Sequence, residues 1–337
     1  MYALKTKLKD AEKIKFFLIE NDLLDFNRKN DKNKDYIFFP ISDKNNKLLK
    51  NYEIVKKDLP KKEIKQNAKE KLFSILDQKD ISNLKTAFDI IGDIAVIEID
   101  DNLKNKEKII AKAILYTQKN IKTIVKKHGI HDGTFRTQKT VHVLGKKNKI
   151  AIHKENNCKF KVDVDNVYFS PRLATERKRI MQQVKNNETI LVMFSGVAPY
   201  PIVLSKNTKA KEVIGIELNP NAHKLALENL KLNKIKNVNL INGDVKKIMP
   251  NFKFDRILMP LPKTADNFLD DALKVSKKNT IIHFYDFLRE DEFNKAHEKI
   301  KNACSKNNKE FEIISTNRCG QHAPYTFRIC VDFIINR

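Results

Sequence analysis

Three places along the chain carry groups that could hold a nucleoside. Ser195-Gly196-Val197-Ala198-Pro199-Tyr200 is a short loop after an apolar run, Glu217 ends a second apolar run, and Asp244 stands just after a third. A carboxylate at the end of the second strand of an α/β unit can accept hydrogen bonds from both hydroxyls of a ribose. An aspartate after the third strand can face the amino group of an adenine. A dinucleotide site wants G-x-G-x-x-G, so that a helix N-terminus can approach the pyrophosphate. Here only Gly196 is present, Pro199 and Pro201 lie where the loop must turn, and no Walker A pattern occurs. A cofactor without phosphates fits better, which favours S-adenosylmethionine over NAD or ATP. Taken alone, the same residues would also serve as a turn glycine and a helix-capping glutamate.

The elements around these residues support the first reading. From about residue 185 onward, apolar strands predicted at 189–194, 213–216, 238–241, 254–259 and 280–284 alternate with helices at 222–232 and 266–275. Such alternation argues for a doubly wound, mostly parallel sheet, in which ligands bind beyond the carboxyl ends of the strands. The first 55 residues read as a small α/β unit, with strands at 2–8 and 36–41. Its helix, 11–24, carries Ile14, Phe17, Leu18 and Leu24 at helical spacing. A lysine-laden stretch, 56–71, reads as a linker. A second unit shows a strand at 94–99 after the Gly92-Asp93 turn and a lysine-rich helix at 106–126. Short strands follow at 141–144, 149–153 and 159–165, then a helix at 171–184. The expected division is 1–70, 71–180 and 181–337.

The sharpest motif lies at the end of the second unit. Val167-Tyr168-Phe169-Ser170-Pro171-Arg172-Leu173, continuing through Ala174-Thr175 to Glu176-Arg177, resembles the archaeal and eukaryotic tRNA (guanine-N1)-methyltransferases acting at position 37. Phe135-Arg136-Thr137, His153-Lys154-Glu155-Asn156, the 229–233 helix stretch and Pro262-Lys263 are similar to segments of the same family. The resemblance spans roughly 85–335 and is looser over 1–55. It implies a class I S-adenosylmethionine-dependent methyltransferase domain behind two smaller α+β domains that recognise tRNA. Guanine N1 is protonated at neutral pH, so a base must take its proton as the methyl arrives; Glu176 matches the family's glutamate in this role. Arg136 matches the arginine that steadies charge building on O6, and Arg177 would face the methionine carboxylate. The resemblance also places Phe194, Gly196, Glu217, Leu218, Asp244, Val245 and Pro260 around the cofactor, and Tyr168, Arg172 and Pro262 around the target nucleotide.

Outside the motif, Glu176 could equally be a surface partner of Arg179 or Arg172. Val192, Ala198 and Pro260 depart from the family pattern, where an acidic residue, a glycine and an asparagine are usual. The alternatives are a wyosine-pathway enzyme on the same nucleoside, transferring a second methyl or an aminocarboxypropyl arm, and a tRNA-binding protein whose site has decayed. The retained Arg136, Glu176, Arg177, Glu217 and Asp244 argue against decay.

The bulk properties bound the rest. At 337 residues with 41% hydrophobic content the chain is a globular protein of two or three domains. Neither a membrane helix nor a signal peptide is expected, which points to a cytoplasmic protein, read as a monomer. Cys158, Cys304, Cys319 and Cys330 have no metal-ligand spacing, and His128 and His131 lack further ligands, so no metal is expected. The formal charge of +24 is a large footprint for a polyanion. Each phosphate neutralised should contribute about −0.7 to −0.9 to the slope of log K against log salt. A filter-binding titration of tRNA at increasing salt should therefore fall steeply; a flat curve would make the lysines mere surface solvation.

Overall fold

The computed structural model describes residues 1–21, 23–25, 28–61, 87–129, 133, 135–261 and 263–337. The chain divides into two compact units, Met1–Glu70 and Lys71–Arg337. The first is a four-stranded antiparallel sheet in the order β2-β3-β1-β4, from β1 (Tyr2–Lys7), β2 (Asp31–Lys32), β3 (Tyr36–Pro40) and β4 (Glu53–Lys56). The helix Ala11–Glu20 lays Ile14 and Leu18 against Leu4 and Phe39 of the sheet. Most of the lysine-rich stretch expected to be a linker lies outside the described residues.

The second unit begins with a sheet in the order β5-β6-β7-β8: β5 (Asp89–Ile91), β6 (Ile94–Ile97), β7 (Thr123–Lys127) and β8 (Thr140–Gly145). The helix Glu107–Thr117 is the crossover between parallel strands β6 and β7. The sequence had suggested a helix running to 126. It stops at Thr117, whose hydroxyl donates to the carbonyls of Ala113 and Ile114. The β-branched run Thr123-Ile124-Val125 is buried as strand instead, where such side chains pack well. A hairpin of β9 (Ile150–Glu155) and β10 (Cys158–Asp163) follows, turning on Asn156 and Asn157, both in the left-handed region. A two-residue turn with both φ positive suits asparagine.

The remaining seven strands form one sheet in the order β13-β12-β11-β14-β15-β17-β16. They are β11 (Thr189–Met193), β12 (Glu212–Glu217), β13 (Val238–Asn242), β14 (Phe254–Met259), β15 (Ser276–Arg289), β16 (Phe311–Ala323) and β17 (Thr326–Ile335). The first five are parallel, as expected from their apolar runs, and β16 and β17 add an antiparallel edge. Leu191, Met193, Ile257, Met259 and Phe284 face one core, while Ile190, Val192, Leu258 and Tyr285 face the other. Strand order reverses at β11, whose neighbours are β12 and β14, so the ligand crevice opens at the carboxyl ends of these strands.

The hairpin is fastened to this sheet by the helix Pro220–Asn233. Asn229 accepts from Lys161 N at 2.6 Å and donates to Lys161 O and Val197 O at 3.1 Å each; Asn233 accepts from Lys159 N and donates to Lys159 O. Asn229 is fully buried. Removing one partner of a buried hydrogen bond costs about 1–3 kcal/mol per group left unsatisfied. Asn229→Leu, which orphans Lys161 and Val197 backbone groups together, should therefore lower stability by about 2–5 kcal/mol in urea denaturation. A change below 0.5 kcal/mol, the usual surface effect, would show that the clamp contributes nothing.

Candidate functional site

The crevice is shaped by backbone before side chains matter. Phe194, Gly196 and Ala198 all have φ near +60°, so the chain after β11 winds through three left-handed residues in five. Non-glycine residues hold that conformation only where the surroundings enforce it. The loop is held by Ser195 N donating to Ile216 O and by Ala198 N donating to Ser195 O. It then enters the helix Pro199–Asn207, where Pro199 at the first position removes an N–H that a phosphate would need. A Cβ at Gly196 would meet only the Tyr168 carbonyl at 3.8 Å, so this glycine leaves open a cradle and at the same time backs onto the motif segment.

Glu217 closes the floor of this loop. Its Oε2 accepts from Gly196 N at 2.6 Å and its Oε1 from Asn219 N at 2.8 Å. Burial raises its carboxyl above the usual glutamate range, and these backbone hydrogen bonds only partly offset it. Leu218 is exposed next to it, Phe194 stacks edge-on against Phe268 at 4.8 Å, and Asp244 caps the short helix Val245–Ile248 by accepting from Lys246 N. Ser195 Oγ is buried without a hydrogen-bond partner among the described residues. An orphaned hydroxyl, an open glycine, an apolar ledge and two carboxylates fit a nucleoside with an amino-acid tail, and the missing N–H fits the absence of phosphate. Pro260 directly follows β14. Pro262 lies outside the described residues, as does His131.

The motif segment lies beside this crevice. The helix Ala174–Gln183 buries Glu176 and Arg177. Arg177 donates twice to Glu155 at 2.5 and 2.7 Å and once to Ser170 O. Burial alone would raise the Glu155 carboxyl; His153 and Arg177 outweigh it and hold it low. Asn156 donates to Ala174 O, so Glu155 and Asn156 brace the helix start. Arg172 pairs with Asp89 at 2.6 Å.

Glu176 does pair with Arg179, but inside the protein and not on its surface. Arg179 donates to both Glu176 oxygens at 2.7 and 2.8 Å, and Tyr285 Oη donates to Oε1 at 2.7 Å. Arg179 also reaches Asp332 on β17 at 2.5 Å. Asp332 in turn meets His283, whose Nε2 faces a guanidinium nitrogen of Arg256 at 2.7 Å. Arg256 can only donate, so His283 Nε2 accepts and Nδ1–H donates to Asp332; burial lowers the imidazole's affinity for a further proton. Burial would raise the Asp332 carboxyl, yet His283 and Arg179 hold it far below the usual range. His283, Cys330 and Asp332 place ligand atoms within 4.8 Å of one another, but the His283 and Asp332 atoms already serve Arg256, Arg179 and each other.

Arg136, in a left-handed turn, extends to Thr264 Oγ1 at 3.4 Å, in the loop after β14. Burial lowers its pKa, with Arg328 adding to the effect and Tyr168 opposing it. Arg328 donates to Tyr168 Oη at 2.9 Å. Tyr168 and Arg328 thus line one cleft of about 430 Å3, with Cys319 in its wall, and Arg136 bears on both electrostatically. Burial pushes the Cys319 thiol up, and Glu176, with which it hydrogen-bonds, adds to the effect. Sequence reasoning missed Tyr285, Asp332, His283, Cys319 and Arg328. The signal for two of them was a lone polar residue in an apolar strand, Asp332 in Ile-Cys-Val-Asp-Phe-Ile-Ile and His283 in Ile-Ile-His-Phe-Tyr.

Comparison with known proteins places this geometry. Residues 151–314 match the TRM5/TYW2 methyltransferase domain, 68–148 the TYW2 N-terminal domain, and 3–49 the tRNA methyltransferase 5 N-terminal domain. The tRNA (guanine(37)-N(1))-methyltransferase Trm5b of Pyrococcus abyssi is 36% identical over 335 residues, covering 99% of each chain. The crystal structure of that wild-type Trm5b superposes with a TM-score of 0.79 at 34% identity, and the complex of aTrm5 with tRNALeu with 0.73 at 31%, each covering 100% of both chains. The chain belongs to the TRM5/TYW2 family of methyltransferases.

Proposed function

We propose that this protein is a tRNA (guanine(37)-N1)-methyltransferase using S-adenosylmethionine, with residues 181–337 holding the cofactor and 1–70 and 71–180 engaging the tRNA. The observation that carries the reading is the position of the Tyr168 carbonyl on the open side of Gly196, where a Cβ would meet it at 3.8 Å. It sets the Tyr168–Arg177 segment against the nucleoside crevice, so a base held by one is next to a donor held by the other. Glu217 and Asp244 hold the ribose and adenine, Phe194, Leu218, Val245 and Pro260 line the pocket, and Arg177 stands beside it. When bound, S-adenosylmethionine supplies an electrophilic methyl on its sulfonium. Glu176 takes the N1 proton of guanine, and Arg136 steadies the charge left on O6, while Tyr168, Arg172 and Pro262 frame the target nucleotide. Arg179 and Tyr285 occupy three of the four acceptor positions of the Glu176 carboxylate.

Mass spectrometry of nucleosides from tRNA incubated with protein and S-adenosylmethionine should find N1-methylguanosine at position 37. A tricyclic or aminocarboxypropyl product would assign the protein to the wyosine pathway instead.

The cofactor assignment predicts a loss in Glu217→Ala of at least ~1.4 kcal/mol, or tenfold in affinity, by calorimetry. Ribose hydroxyls donate to the charged carboxylate, so binding favours deprotonation. Because burial raises the Glu217 pKa in the free protein, wild-type affinity should fall as pH drops through that raised value, and Glu217→Gln should abolish this dependence. Unchanged affinity in the alanine variant would sink the assignment.

Glu176→Gln should spare cofactor and tRNA affinity while cutting single-turnover methyl transfer by roughly 10²–10⁴, the usual worth of general base catalysis. The deficit should shrink as pH rises, because solvent deprotonates N1 increasingly well. Arg136→Ala should also slow the step, with less recovery at high pH. Near-wild-type rates in Glu176→Gln at neutral pH would make this residue structural.

A further inference from the structure

The cleft shared by Tyr168 and Arg328 holds a cation that neither fold nor base chemistry explains. Arg328 lies on β17, opposite Phe287 of β15 and Gly320 of β16 in the sheet register. Its guanidinium sits over the Phe287 ring at 5.1 Å and donates to Tyr168 Oη at 2.9 Å. Its Nε is buried with no hydrogen-bond partner, and no ion pair joins it to a carboxylate among the described residues. Gly320 beside it leaves open space, since a Cβ there would meet nothing within 4 Å.

The charge around it has one sign. Lys127 and Arg172 line the same cleft, and its one carboxylate, Asp89, is already taken by Arg172. Arg328 also bears electrostatically on Arg136, two cations approaching one another. Like charges gathered at a cleft, with a planar donor held flat on an aromatic ring, suit an anion that accepts two hydrogen bonds side by side. A phosphate does this, and arginine is the side chain that matches it bidentately. Stacking on Phe287 and the bond to Tyr168 fix the plane of the fork in advance, which reduces the ordering needed on binding.

We infer that Arg328 binds a backbone phosphate flanking the nucleotide that is methylated, and so positions its base for Arg136 and Glu176. This rests on the reading that the substrate is tRNA modified at guanosine 37. It makes Arg328 a substrate-positioning residue with no part in proton transfer.

The test uses the full-length protein and an intact tRNA in which each phosphate flanking guanosine 37 is replaced in turn by a neutral methylphosphonate. Arg328→Gln keeps a planar donor over Phe287 without the charge. It should weaken tRNA binding about tenfold and reduce the salt slope by about 0.7–0.9, the worth of one phosphate contact. One of the two methylphosphonates should weaken wild-type binding similarly and weaken Arg328→Gln no further. Cofactor affinity in Arg328→Gln should equal wild type, which shows that the domain is folded. Additive losses, an unchanged salt slope, or wild-type binding by Arg328→Gln would each overturn the inference; a loss without a slope change would put the guanidinium on the base. Wild-type protein that binds tRNA but forms no N1-methylguanosine would instead overturn the functional reading, and the binding measurements would still decide the role of Arg328.

Discussion

Arg179 is the charge on which the architecture behind the cleft turns. It lies between two buried carboxylates, Glu176 on its own helix and Asp332 on β17. Two unpaired carboxylates at this depth would each carry a desolvation cost of several kcal/mol. With Arg179 present, they join one series that runs from Glu176 through Arg179, Asp332 and neutral His283 to Arg256 and Glu188. Glu176 is thereby oriented by groups anchored in the central sheet. A buried ion pair of this kind is weak evidence for stability. What it does fix is geometry: two donors of Arg179 and the Tyr285 hydroxyl define where the carboxylate points.

How much of this could be read from sequence depends on distance along the chain. The parallel strands β11, β12 and β14 were legible because strands buried on both faces read as continuous apolar runs. Glu217 and Asp244 were legible because they stand at the ends of those runs. The hairpin β16–β17 was not predicted. Its outer strand carries Asn317, Arg318, Gln321 and other polar residues at a sheet edge, which blurs the alternation that marks a strand. The over-long helix at 106–126 failed for a different reason, since lysines on both sides of the true boundary gave one pattern to a helix and a strand.

The candidate site shows the same division. The Glu176–Arg179 spacing of three along a helix marks a local pair, and sequence alone suggested a surface one. What buries it comes from Tyr285 and Asp332, 109 and 153 residues away, and no local pattern carries that information. Arg328 lies further still from Tyr168, 160 residues along the chain. The motif at 167–177 could name the segment that matters but not the strands that complete it.

The Asn229 amide touches Lys161 in the hairpin and Val197 in the loop after β11. These two backbone positions are therefore gauged from one common datum. The thirty-odd residues that connect them include a helix, several turns and the braced start of the motif, and each could add its own small positional error. With both ends referred to a single rigid side chain, such errors do not accumulate between the hairpin and the loop after β11. Surface loops in between can lengthen or change composition without moving one half of the site relative to the other, and that tolerance resides in one buried asparagine.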